Sequence, residues 1–275
     1  MGWSSLVHRL NGPQVRVLAK TTWGARLEVD ARDPCGRKIY FFGIWEPNLT
    51  TWIRKRLQPG DTFIDVGANI GYYSALASRL VSPAGRVVAV EAIPRTFDVL
   101  VRNLRANCCQ NVRAINRAAS DREERLTFYV SANVIYGTST IYQDRANQHG
   151  HNEQQCTVDA APLSSMLASE EIASARMVKI DVEGAEGKAI HGLEPFFGGR
   201  RDIEFAVEVQ TATFDEVTSF FKHRGFHAYH MPNDYSAEAY ISPSVTTKLP
   251  KVTTLPSGVK ELDLIFSRVD GATLS

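Results

Sequence analysis

Apolar and polar positions along the 275-residue chain follow two regimes. Residues 25–43 (ARLEVDARDPCGRKIYFFG) alternate on either side of RDPCG, which predicts a hairpin about a turn. In EPNLTTWIRKRLQPG, Leu49, Trp52, Ile53 and Leu57 recur on one helical face, and Pro59-Gly60 close the predicted helix. From residue 61 onward, short β-branched runs alternate with amphipathic stretches. DTFIDVG, GRVVAVEA, NVRAINRA, ARMVKIDVEG, DIEFAVEVQ, GFHAYHM and ELDLIFSRV read as seven strands. NIGYYSALASRLV, PRTFDVLVRNLRANC, a stretch from about Ala185 and TFDEVTSFFKHRG read as helices. Strands separated by helical stretches predict an α/β fold, a doubly wound, mostly parallel sheet covered on both faces. Ligands of such sheets sit at the carboxyl ends of the strands, where strand order reverses. The expected division is an N-terminal hairpin-and-helix extension over residues 1–60 and one domain over 61–275. Two long segments stand apart: 131–152, rich in Asn, Gln, Ser, Gly and His, and 231–260, with Pro232, Pro243, Pro250 and Pro256. Both are expected to act as lids over an acceptor site.

Composition narrows the function class. Hydrophobic residues make up 44% and charged residues 22%, with a formal net charge of +1. That balance suits a soluble globular protein and gives no electrostatic reason to expect nucleic acid or an acidic membrane as partner. No apolar run approaches the roughly 20 residues needed to cross a bilayer. The opening MGWSSLVHRL lacks a signal-peptide core, and Leu6 stands where a myristoylation signal needs Ser or Thr. Cys35, Cys108, Cys109 and Cys156 form no CxxC pair, which argues for reduced thiols. The expectation is a cytoplasmic protein; assembly as a homodimer stays open.

DVGANIGYYS (65–74) lies where the first strand of the alternating region turns into its helix. Gly67 and Gly71 permit a tight turn and close approach of backbone to a ligand. About 20 residues on, the second strand ends in Glu91, placed to accept both hydroxyls of a ribose. A dinucleotide site needs G-x-G-x-x-G. Here Asn69 and Tyr72 replace the second and third glycines, which argues against NAD and for S-adenosylmethionine, whose nucleoside carries no phosphates. Tyr72 and Tyr73 offer aromatic faces to a sulfonium, with core packing as the alternative. Asp121 is placed to approach an adenine amino group, or is a surface turn acid. The expected cofactor set is Asp65, Gly67, Ala68, Asn69, Gly71, Tyr72, Tyr73, Ser74, Glu91, Ala92, Ala119, Asp121 and Asp181.

KIDVEGAE (179–186) ends the fourth strand in three acids. Glu183 and Glu186 fall at a helix start, where the dipole stabilises negative charge by a few tenths of a kcal/mol. That suffices for Glu186 and leaves Glu183 open. Asp181 closes a buried strand, and a carboxylate there must find a polar partner. Glu208 ends the neighbouring strand, so Asp181 and Glu208 are expected to converge on one site.

DTFIDVGANIGYYS and VKIDVEGAE at this spacing resemble the FkbM-type S-adenosylmethionine-dependent methyltransferases. The resemblance covers roughly residues 37–210 and takes in YFFGIWEP, VEAIP, AASD and GTST. One departure is Ala92, where the family usually shows proline after the strand-end glutamate. The resemblance implies a Rossmann-like class I methyltransferase fold and an O-methyltransferase acting on sugar or polyketide hydroxyls. N-methylation, an NAD-dependent oxidoreductase and a non-catalytic nucleoside-binding protein are the alternatives.

Methyl transfer to an aliphatic hydroxyl needs the oxygen in line with the S–CH₃ bond at about 3–3.5 Å and a base for its proton. Asp181 and Glu208 are the candidate bases, with Glu183 behind them. The same acids admit Mg²⁺, which would acidify the hydroxyl, and the sequence leaves the metal open. His149, His151, His191 and His230 are further candidate bases. Glu46 either caps the helix that follows it or reaches the cleft.

Overall fold

A computed structural model describes residues 15–131, 139–140, 153–182, 184–242, 245–246, 248–256 and 258–275. The hairpin is formed by β1 (Arg16–Lys20) and β2 (Arg26–Asp30), paired antiparallel, and so lies earlier than its expected place at 25–43. What reads as its second arm is a helix, α1 (Pro34–Phe42). The cause is the Asp-Pro pair. Asp33 caps the helix by accepting the Gly36 N–H at 2.7 Å, Pro34 fills the first turn, and Gly43 ends it with φ 71°. The residues that advertise a turn here open a helix instead. Helix α2 (Pro47–Arg56) follows, with Leu49, Trp52, Ile53 and Leu57 buried as their spacing predicts.

The expected alternation then holds: β3 (Thr62–Val66), α3 (Tyr72–Val81), β4 (Arg86–Val90), α4 (Pro94–Ala106) and β5 (Val112–Ile115). Next come four strands, only the first of which touches the expected pattern: β6 (Ala118–Ala119), β7 (Glu124–Ser131), β8 (Ser139–Thr140) and β9 (Glu153–Ala161). They form a separate sheet in the order β6-β9-β7-β8. Short helices α5 (Leu163–Met166) and α6 (Ser169–Ala173) return the chain to β10 (Ala175–Ile180) and α7 (Glu186–His191). After these run β11 (Glu204–Gln210), α8 (Phe214–Lys222), β12 (His227–His230), α9 (Ala237–Ile241), β13 (Leu249–Val252), β14 (Glu261–Ser267) and β15 (Thr273–Leu274). Segment 231–260, expected as a loop, therefore contains a helix and a strand. Of 131–152, all but residues 131, 139 and 140 lie outside the described residues.

Among the described residues the central sheet has nine strands, in the order β15-β13-β12-β14-β11-β10-β3-β4-β5. The seven expected strands are all in it; β13 and β15, too short and too polar to stand out in the sequence, extend its edge. From β5 to β11 the pairs are parallel, and β14 enters antiparallel between β11 and β12. The chain steps outward from β3 to β4 and β5, then returns to start the other half at β10. Strand order reverses between β3 and β10.

Adjacent residues on the central strands serve opposite faces. Phe63, Met177, Ala206 and Ile265 pack with the hairpin, α2, α3 and α4. Their neighbours Ile64, Val178, Phe205 and Phe266 pack with α7 and α8. Period-two alternation with both faces apolar is what makes these strands read as continuous hydrophobic runs.

Candidate active site

At the strand reversal, the chain leaves β3 through Gly67 (φ 77°), Asn69 (φ 50°) and Gly71 (φ 88°) before entering α3. The Gly67 and Ala68 N–H groups both donate to the Val90 carbonyl at 2.9 Å, tying the turn to the end of β4. A Cβ on Gly67 would lie 1.8 Å from the Asp181 carbonyl oxygen, and one on Gly71 would lie 2.6 Å from Leu100 Cδ1. Gly67 is therefore required by the way the protein packs on itself, and Gly71 by its left-handed backbone. Behind the turn, Asp65 is fully buried and accepts the Ser74 hydroxyl at 2.6 Å. Burial raises the Asp65 carboxyl above the usual aspartate range, with the Lys179 charge opposing it.

The turn borders an open cleft. Glu91 lies at its side. One carboxylate oxygen accepts the Asn69 N–H and the other the Ile93 N–H, each at 2.9 Å. Burial pushes the Glu91 carboxyl up to about 7, against the pull of those two donors. Ile93, Ala118, Ala119 and Phe128 give the cleft apolar lining. Phe128 comes from β7, so the second sheet supplies one side of the cleft. Of the residues singled out in the sequence, Gly67, Asn69, Glu91, Ala92, Ala119 and Asp181 line the cleft. Asp65, Ala68, Gly71, Tyr72, Tyr73 and Ser74 stand behind it. Tyr72 is a core residue, its hydroxyl accepting from Trp23 Nε1 at 3.1 Å and 3.3 Å from the Thr50 hydroxyl. Asp121 is exposed and paired with Arg122, away from the cleft lining. Ile93, Thr96, Arg117 and Phe128 line the cleft without having been singled out.

A second, smaller pocket adjoins the first, and Asp181 lines both. Its walls carry Glu46, Lys179, Asp181, Glu208 and Asp263 between apolar residues of β10, β11 and β14. Asp181 and Glu208 thus reach one pocket, as expected. Lys179 is 4% exposed and donates to Asp181 Oδ2 at 2.9 Å. Burial works against its charge, but the Asp181, Asp65 and Glu46 carboxylates outweigh it and hold the ammonium above the usual lysine range. Glu46 makes no helix-capping bond; its carboxylate accepts the Tyr73 hydroxyl at 2.6 Å and the Tyr235 hydroxyl at 2.7 Å. Asp263 accepts Asn233 Nδ2 at 2.7 Å, while burial and then Glu46 push it well above the usual aspartate range.

The remaining candidates fall elsewhere. Glu186 begins α7 and accepts the Gly184 N–H at 2.7 Å, a helix-start role as its position predicts. His191 pairs with Glu216 at 3.3 Å, and His230 lines neither pocket. Glu183, His149 and His151 lie outside the described residues. Among the described residues, no group of three or more His, Cys, Asp or Glu side chains is arranged to hold a metal ion, so the Mg²⁺ alternative gains no support. Nor is any helix among them long and apolar enough to cross a membrane.

The model of the "Methyltransferase FkbM domain" family matches residues 65–228. "Methyltransferase 1" of Beauveria bassiana is 31% identical over 154 residues, covering 50% of this chain and 60% of that protein. The chain thus spans under two-thirds of that relative's length. "31-O-demethyl-FK506 methyltransferase FkbM" of Streptomyces tacrolimicus is 28% identical over 198 residues, covering 62% of this chain and 74% of the relative. The solved structure of a methyltransferase FkbM from Methylobacillus flagellatus superposes with a TM-score of 0.47 at 13% identity, covering 79% of this chain and 50% of that one.

Proposed function

Because the chain belongs to the FkbM methyltransferase family, we propose that it transfers a methyl group from S-adenosylmethionine to a hydroxyl of a sugar or of a glycosylated or polyketide small molecule. The observation that carries this reading is Asp181, which lines both the cleft beside the glycine turn and an acid-walled pocket. A methyl donor and an acceptor must meet at such a junction.

The residues present fit the donor. Glu91 keeps lone pairs beyond those used by its two backbone donors and suits a ribose diol. Ile93, Ala118, Ala119 and Phe128 suit an adenine face. Asn69, in the cleft lining, has a buried Oδ1 with no protein donor, the kind of atom an amino-acid ammonium satisfies. S-adenosylmethionine supplies an activated methyl on a sulfonium, so the protein's own work is to bind, orient and take a proton. Lys179 fixes the Asp181 carboxylate at the junction, and the acids of the second pocket face the acceptor. The relative named for 31-O-demethyl-FK506 supports oxygen as the methylated atom.

Calorimetry of the full chain with S-adenosylhomocysteine and with NAD tests the donor, and binding of NAD alone overturns the reading. Transfer of labelled methyl from S-adenosylmethionine to a panel of sugars, macrolide alcohols and amines tests the acceptor. Turnover of the alcohols is expected. Turnover of amines alone moves the reading to N-methylation, and turnover of none removes the hydroxyl assignment.

A further inference from the structure

Resting on the methyl-transfer reading, we propose that Glu46, rather than Asp181, is the base that accepts the proton of the acceptor hydroxyl. Its place comes first: the carboxylate lines the same pocket as Asp181, Glu208 and Asp263, beside the end of β10. Its hold comes second. The Tyr73 hydroxyl binds one oxygen and the Tyr235 hydroxyl the other. A carboxylate offers about four lone-pair sites, so each oxygen keeps one for an incoming proton while the group stays fixed.

The backbone supplies a third, independent observation. Glu46 has φ 41° and ψ 77°, a left-handed conformation that L side chains rarely adopt. It is locked there by Pro47 on one side, by its carbonyl accepting the Thr50 N–H at 2.8 Å, and by its N–H donating to the Tyr240 hydroxyl at 3.3 Å. Strain of this kind persists where the surrounding structure over-determines it, typically at functional sites. The helix gains nothing from this side chain, which forms no cap bond. What the strain achieves is delivery of a carboxylate into the pocket.

Asp181 is less suited to the task. Its carboxylate is already engaged, Oδ2 accepting from the Lys179 ammonium at 2.9 Å. Glu46 experiences a different balance. Cys35 faces it from α1, Tyr73 from α3, Lys179 and Asp181 from β10 and its end, Asp263 from β14, and Tyr235 and Tyr240 from segment 231–241. Burial raises its carboxyl above the usual glutamate range, with Lys179 and the two tyrosine bonds opposing. A base poised nearer neutrality is the more effective one. In the step so assigned, the acceptor oxygen bonds the methyl carbon, the carbon–sulfur electron pair stays on sulfur, and the hydroxyl proton passes to Glu46. Tyr235, 44% exposed, links Glu46 to solvent, where the proton departs.

The test uses the full chain labelled with [δ-¹³C]glutamate, S-adenosylhomocysteine as the binding probe, and the best alcohol of the acceptor panel. The Glu46 resonance, assigned by its loss in Glu46→Asp, should titrate above the usual glutamate range. Glu46→Gln should lower kcat by about 10²–10⁴-fold, abolish the acidic limb of the kcat–pH profile, and leave S-adenosylhomocysteine affinity within about twofold. Tyr235→Phe changes a half-exposed ring and removes one donor, so it should move the Glu46 titration and the acidic limb to higher pH together. A Glu46→Gln kcat within tenfold of wild type overturns the assignment. So does a limb that stays in place while the Glu46 resonance moves, or one that vanishes in Asp263→Asn instead. Wild-type protein that binds no S-adenosylhomocysteine, or that methylates no alcohol, removes the methyl-transfer reading and this assignment with it. Binding and turnover with an unshifted Glu46 remove the assignment alone.

Discussion

In the proposed reading, Glu91 serves a ligand at the expense of the empty protein. Burial raises its carboxyl to about 7. A carboxyl whose folded pKa lies above its unfolded value near 4.3 stabilises the fold when protonated, and that contribution is lost as pH rises through about 7. A ribose diol, however, donates to the ionised form. Affinity for S-adenosylhomocysteine should therefore be flat above pH 7 and fall by up to roughly tenfold per pH unit below it, as calorimetry across pH 5–8 reads out. Glu91→Gln should flatten that profile and weaken binding at pH 8. Gly67 permits an equally sharp test. Alanine there must adopt φ 77° and place its Cβ 1.8 Å from the Asp181 carbonyl, so a loss of about 2–4 kcal/mol in denaturant unfolding is expected. Gly67, Glu91 and Asp181 were legible in the sequence because strand ends and tight turns leave local signals. Lys179 was assigned no such role, and Glu46 was left open between a helix cap and the cleft. A lysine within a strand and a glutamate before Pro47 show what they touch only when β10, α3 and segment 231–242 close around them.

At the scale of elements, the parallel strands were legible because burial on both faces makes them unbroken apolar runs. The helices between them were legible because their apolar stripes repeat at helical spacing. Two features were not. In α1, an Asp-Pro pair serves turns and helix starts equally, and only the packing of Gly36 against β2, where a Cβ would meet the Asp30 carbonyl at 2.3 Å, decides between them. The second sheet was obscured by its polar outer face: along β7, Arg125 and Thr127 flank Leu126 and Phe128, and only alternate residues turn inward. That sheet is part of the site, because Phe128 walls the cleft while packing on Ile93 and Val158 in a small core of its own. Phe128→Ala should weaken S-adenosylhomocysteine binding about 10–100-fold, from the loss of roughly 1.5–3 kcal/mol of apolar contact. Its effect on overall unfolding should be smaller than that of an equal truncation in the central sheet, since its cluster is the smallest of the three cores. Calorimetry and denaturant melts on the same samples separate the two effects.

At the scale of the whole molecule, the segments before and after residue 60 share one hydrophobic core. Leu27, Val29, Ile39 and Ile53 belong to the same buried cluster as Phe63, Leu76, Tyr229 and Ile265. The proposed site depends on that union, for Glu46 precedes α2 while its partners Tyr73 and Tyr235 lie on α3 and in segment 231–242. A shared core implies shared unfolding, and the sequence provides its own probe. All four tryptophans, Trp3, Trp23, Trp45 and Trp52, lie before residue 60. Tryptophan fluorescence therefore reports on the N-terminal segment, whereas far-ultraviolet circular dichroism reports on every helix and strand. In wild type the two probes should give coincident denaturant transitions. Ile53 is fully buried in the common cluster, so Ile53→Ala should cost about 2–5 kcal/mol and move both transitions by the same amount. A fluorescence transition that moves alone, ahead of the dichroism, would mean that the N-terminal segment unfolds independently of the sheet on which it packs.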